Sequence, residues 1–280
     1  MTTFTPTDLR PLFPRERAEL LQVLRSLNSE TWQLPTVCTG WSIHDIALHI
    51  LNGDLRFIAG HRDGYQSPHG PRVELPSGRA EVTELVDELN NAWISGSRWM
   101  SPRQVIEQLQ RSGVEYTETL ATFDMNAPGI PVDWIQPGPA PTWMDVAREF
   151  TERWIHQQQI RDAAGLPLLN DRWALYPVFD TFMLALPNAL REIDAPSGAN
   201  IHVTIRGGAG CTWIVRKAAA GWEFGSDRGT QPYATFALDQ DIAWRLYTKG
   251  IAAEDALSHI ERAGDPAALD TLVNMVTVLA

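Results

Sequence analysis

A chain of 280 residues, 44% hydrophobic and 20% charged, has material for one large domain or two ordinary ones with a sizeable core. A formal net charge of −11 and a pI near 5.1 repel phosphate backbones, so nucleic acid is not an expected partner. No apolar run approaches the roughly 20 residues of a membrane span, and the opening MTTFTPTDLRPLF lacks a basic-then-apolar signal pattern, so a cytoplasmic protein without a membrane role is expected.

In chain order, apolar spacing predicts helices near 12–27, 42–60, 80–99, 101–123 and 142–164. Three of these begin with a hydroxyl followed three residues later by an acceptor: Ser42 and Asp45, Ser101 and Gln104, Thr142 and Asp145. Pro102 fits the first helical position, and Gly165 with Pro167 stops the last helix. The proline-rich connections Gly64–Gly78 and Ala127–Pro141 are long enough to cover a cleft. Five such helices imply an all-α bundle over residues 1–170.

After Leu169 the texture changes. A helix near 172–192 should kink at Pro187. Period-two alternation then marks strands at 201–206, 211–216, 221–224 and 233–238, with Gly207-Gly208 as a turn. Helices near 240–249, 252–260 and 266–279 follow, so residues 171–280 read as a smaller α+β domain.

Within the helix at 142–164, Glu152 and His156 stand four residues apart and share a face. They could each give one ligand to a metal ion, with His49 of the second helix as a third. The same residues also read as polar stripes facing water, with Glu152–His156 an ordinary i,i+4 pair worth a few tenths of a kcal/mol. Periodicity does not separate the two readings. The remaining histidines have no partner at ligand spacing: His44 aligns with the leucine stripe, His61 and His69 fall in a turn-rich stretch, His202 starts a strand and His259 sits on a short helix. Cys38 and Cys211 form no CxxC pattern and read as buried or incidental. No GxGxxG, Walker or GxSxG motif is present.

Two blocks carry a resemblance. Gly40-Trp41-Ser42-Ile43-His44-Asp45, followed by Ala47-Leu48-His49, is similar to the Gly-Trp-Ser/Thr-x-x-Asp-x-x-x-His block of the DinB-like, mycothiol-dependent maleylpyruvate isomerase family. Glu152-Arg153-Trp154-Ile155-His156-Gln157-Gln158-Gln159-Ile160-Arg161, continuing to Pro167, resembles that family's second block. The resemblance implies an α+β two-domain protein, a DinB-like helical bundle followed by a small sterol-carrier-like domain. It also implies a divalent metal, usually zinc, which residue by residue falls to His49, Glu152 and His156. Gln159 stands where the family often has an acid or a histidine, and it could hydrogen-bond a ligand or substrate.

The activity implied is isomerisation or transfer with a low-molecular-weight thiol such as mycothiol. The metal lowers the thiol's pKa, and the thiolate adds to a small electrophilic, carboxylate-bearing substrate. Arg206, Arg216, Arg228, Arg245 and Arg161 are the candidates for holding that carboxylate. Two other readings stand beside this one: a zinc-bound water doing hydrolytic or lyase chemistry at the same site, and a non-catalytic protein binding a small ligand. The expected partners are a small-molecule substrate and a thiol, in a monomer or small homo-oligomer.

Overall fold

The computed structural model describes residues 7–65, 79–132, 134–135, 138–226, 229–275 and 277; His69, Arg228 and most of the Gly64–Gly78 segment lie outside them. The chain divides into two compact units, one made of Arg10–Phe123 and Ile155–Leu168, the other of Met1–Leu9, Asp124–Trp154 and Leu169–Ala280.

The first unit contains α1 (Phe13–Ser26), α2 (Ile43–Phe57), α3 (Arg79–Ser97), α4 (Pro102–Leu120) and the last turns of α5 (Thr142–Ala163). Its core is the apolar stripe that the sequence spacing marks out: Leu20 and Leu24 of α1, Ile43, Ile46, Ala47, Leu48 and Leu51 of α2, Val105 and Leu109 of α4, Ile160 of α5, and Trp32 between α1 and α2. Leu55, four residues after Leu51 and so at helical spacing for the same stripe, is exposed at 40%. Beyond Phe57 the chain continues as one π-helical turn over Ile58–Arg62.

Both Ser42 and Ser101 make full capping boxes. At Ser42 the serine amide and hydroxyl both donate to Asp45 Oδ2 at 2.9 Å, and Arg98, in the turn after α3, donates to both oxygens at 2.9 and 3.0 Å. Burial disfavours the charged Asp45, but Arg98 and the Ser42 donors outweigh it and hold the carboxyl below the usual range. An Asp45→Asn variant is expected to cost about 1 kcal/mol at neutral pH, the scale of a lost cap. Because the folded-state pKa is depressed, that contribution is present above the unfolded pKa and disappears as pH falls through the folded one. Urea midpoints of wild type and variant should therefore differ at pH 7 and converge well below about pH 4.

The second unit includes a proline-rich hairpin of β1 (Pro128–Pro131) and β2 (Pro139–Pro141), inside the connection read from sequence as loop. Thr142 and Asp145 serve this hairpin: the threonine hydroxyl donates to Ala127 O at 3.0 Å, and Asp145 accepts from the Ile130 amide at 3.0 Å. The helix expected over 172–192 is two, α6 (Arg172–Met183) and the one-turn α7 (Leu186–Ala189). Pro187 falls in the first turn of α7, where no amide is needed, so it starts a helix rather than kinking one. Pro177, by contrast, lies inside α6.

The sheet follows, with strand order β5-β4-β3-β6-β7. It comprises β3 (Asn200–Arg206), β4 (Cys211–Ala218), β5 (Gly221–Phe224), β6 (Ala234–Asp239) and β7 (Glu261–Gly264), antiparallel except where β3 lies parallel to β6. Strand β7 was not foreseen; all four of its residues are exposed, so it has no apolar alternation to betray it. Helices α8 (Gln240–Tyr247), α9 (Ala253–Ala256) and α10 (Pro266–Val273) complete the unit. Trp154 of α5 meets Trp244 of α8 edge-on at 5.8 Å, and Phe182 meets Tyr247 at 5.9 Å. Helices together with a mixed sheet make this unit α+β, the class that the alternating strands predict.

Candidate functional site

The first unit brings two of the three residues singled out by sequence onto each other. His49 projects from α2 and His156 from α5, with ring centroids 4.7 Å apart at an interplanar angle of 75°. They are 107 positions apart in sequence, so only the packing of α2 and α5 in the bundle core unites them. Trp41, just ahead of the Ser42 cap, also meets His49, with centroids 5.1 Å apart, and its indole N–H donates to Asn91 of α3 at 2.9 Å. His156 is buried and His49 half-buried.

Polar partners on α5 fix His156. Its Nδ1 lies 2.8 Å from Oε1 of Gln159, one turn on, and the Cys38 thiol donates to the same oxygen at 3.3 Å. Gln157 donates through Nε2 to both the carbonyl and the carboxylate of Glu16 on α1, at 3.2 and 2.8 Å. Arg161 donates to Gln157 Oε1, to Pro167 O and to Glu19 of α1. This buried brace sets the rotation of α5 about its axis, and hence the direction in which His156 projects. Arg161, a candidate for holding a ligand, has its guanidinium engaged in that brace.

Glu152 precedes His156 by one turn of α5. Burial pushes its carboxyl up to about 8, neighbouring Glu149 adds to the rise and Arg148 opposes it. Among the described residues, no three His, Cys, Asp or Glu side chains are gathered as a ready metal site.

The donors present nevertheless suit a borderline cation. With Zn–N distances of about 2.0–2.1 Å and a tetrahedral angle, two ligating imidazoles place their ring centroids ~5 Å apart. The observed pair comes close to this without a metal.

The other sequence candidates have neighbours of their own. His44 is buried under Trp32, with Nε2 3.0 Å from Met100 O, and His61 is exposed beside Phe57 and Phe123. Of the arginines proposed to hold a carboxylate, Arg206 pairs with Glu261, Arg216 with Glu223, and Arg245 lies over Trp244 and reaches Asp241. Cys38, read from sequence as buried or incidental, is a neighbour of the site, and so is Trp41, which the sequence marks only as part of a block. The one signal for either was their place in the block that ends at His49.

A family model described as the mycothiol maleylpyruvate isomerase N-terminal domain matches residues 13–161. Among solved structures, the mycothiol-dependent maleylpyruvate isomerase superposes with a TM-score of 0.53 at 10% identity, covering 94% of this chain and 96% of that one. A histidine mutant of that isomerase gives 0.52 at 9% identity over the same shares. At such identities the likeness is one of fold. Sterol Carrier Protein 2 Like 2 from Aedes aegypti, 18% identical, covers 35% of this chain and 95% of its own with a TM-score of 0.27, too low to argue from. No curated protein matches the chain.

Proposed function

The chain belongs to the mycothiol maleylpyruvate isomerase N-terminal domain family, whose model spans more than half of it, and on that premise we propose that it is a thiol-dependent isomerase acting on a small electrophilic carboxylate. The observation that carries the reading is the His49–His156 pair, 4.7 Å apart in the unit that holds most of the family match. We assign His49, Glu152 and His156 the task of holding one divalent cation, zinc being favoured by two imidazoles and a carboxylate. Such a cation would lower the pKa of a thiol beside it to give a thiolate near neutral pH.

The chain's own residues supply the rest. The brace of Gln157, Arg161 and Glu16 holds His156 in place, and Trp41 packs one side of His49, limiting water there. Gln159 keeps the His156 ring oriented. The same donors would also serve a thiol transferase, and an assay separates the two by whether thiol is consumed.

The test uses protein purified without added metal or chelator, assayed for metal content and then for cis–trans isomerisation of maleylpyruvate with and without mycothiol. About one equivalent of zinc is expected per chain, with turnover that depends on catalytic amounts of thiol. Zinc with thiol-independent turnover would move the site to water-based chemistry. Absence of both metal and turnover would end the proposal.

A further inference from the structure

We propose that Gln159 is a positioning residue, its amide oxygen oriented by the Cys38 thiol so that His156 is held in the tautomer with its proton on Nδ1. The inference deepens the reading of His156 as a metal ligand, but it concerns the ring before any metal arrives.

An amide oxygen only accepts, so the 2.8 Å contact from His156 Nδ1 to Gln159 Oε1 requires the proton on Nδ1. Nε2 is then the ring nitrogen carrying the lone pair, the one able to bind a cation. Nothing in a glutamine alone fixes this choice. If the amide turned over, its NH2 would face Nδ1, and the opposite tautomer, protonated on Nε2, would be favoured.

Cys38 breaks that symmetry. Its S–H donates to the same oxygen at 3.3 Å, and with the amide turned only the poorer N–H···S contact would replace that bond. Both His156 and Gln159 are buried, at 8% and 6% exposure, so bulk water is poorly placed to substitute for either bond. The i,i+3 spacing keeps the glutamine beside the ring on one helix, while Cys38 comes from the loop before α2. The loop ahead of His49 thereby sets the protonation of the imidazole that faces His49.

The experiment reads the tautomer directly. Long-range 1H–15N spectra of the metal-free protein, recorded across a pH series, identify the protonated nitrogen of the neutral ring, with His156→Gln giving the assignment. Zinc affinity is measured in parallel by competition with a chromophoric chelator. Wild type should show Nδ1–H. Gln159→Leu should show a mixture or the other tautomer, with zinc affinity down about 10- to 100-fold. Gln159→Glu, still an acceptor, should keep Nδ1–H.

Cys38→Ala should shift toward Gln159→Leu, and Cys38→Ser, which restores a donor, should recover the wild-type spectrum. A merely structural glutamine would lower the melting temperature and leave the tautomer unmoved. Nε2–H in wild type, or an unchanged tautomer in Gln159→Leu, overturns the inference. A wild type that binds no zinc but whose tautomer responds as described sinks the metal reading alone.

Discussion

Replacing His49 by alanine is expected to lower zinc affinity by about 100- to 1,000-fold and to remove thiol-dependent turnover at ordinary zinc concentrations. The magnitude follows from the roughly 10–16 kcal/mol of a four-ligand structural zinc site, about 3 kcal/mol for each ligand, with 1.36 kcal/mol per decade. The fold should survive. His49 is half-buried and its ring meets Trp41 and His156, so truncation should cost only about 1–2 kcal/mol of stability.

His156→Ala should lose affinity by a similar factor but cost more stability, because it also deprives the buried Gln159 oxygen of a donor. Isothermal titration with zinc and thermal melts of the same samples separate the effects. If the two imidazoles were only a packing contact, both variants would melt earlier while zinc binding, if any, stayed at the wild-type level. That outcome would remove the metal from the proposal.

How much of this was legible beforehand depends on whether the deciding interaction is local. The Ser42 and Ser101 caps were readable because donor and acceptor sit three residues apart, and both boxes form. The polar stripe of α2 was not readable in the same way. Asp45 and Asn52 are buried, His49 is half-buried, and Gly53 and Arg56 are exposed, although helical spacing puts all five polar or small residues on one row. What decides is the neighbour across the bundle: Arg98 for Asp45, His156 for His49. The two histidines were linked through resemblance of two blocks to a family, since periodicity gave each an equally good solvated reading. Cys38 forms no local cysteine pattern, and its partner, Gln159, is 121 positions away, so no spacing marks it. The sheet was legible wherever one face is buried, and β7 escaped because neither face is.

The largest stability effect is expected from a residue that no motif or spacing in the sequence singles out. Asp54 of α2 is fully buried and accepts from Arg17 of α1 at 2.7 and 3.1 Å and from Ser112 of α4 at 2.5 Å. Arg17 also donates to Leu109 O at 2.5 Å, tying three helices at one point. Gly113 leaves room for this guanidinium: a Cβ there would meet Arg17 Cγ and Nη1 at 2.9 Å.

Asp54→Ala removes the carboxylate and leaves Arg17, 9% exposed, charged in the core. A loss of about 3–5 kcal/mol is expected, the cost of an uncompensated buried charge. The pair itself need not be worth that much, because desolvating both ions offsets most of their attraction. A double variant, Arg17→Met with Asp54→Leu, should therefore recover most of the loss. Urea unfolding of the wild type, the single and the double variants decides it. A double variant as unstable as Asp54→Ala alone would mean that the ion pair, rather than the stranded arginine, carries the stability of the helical unit.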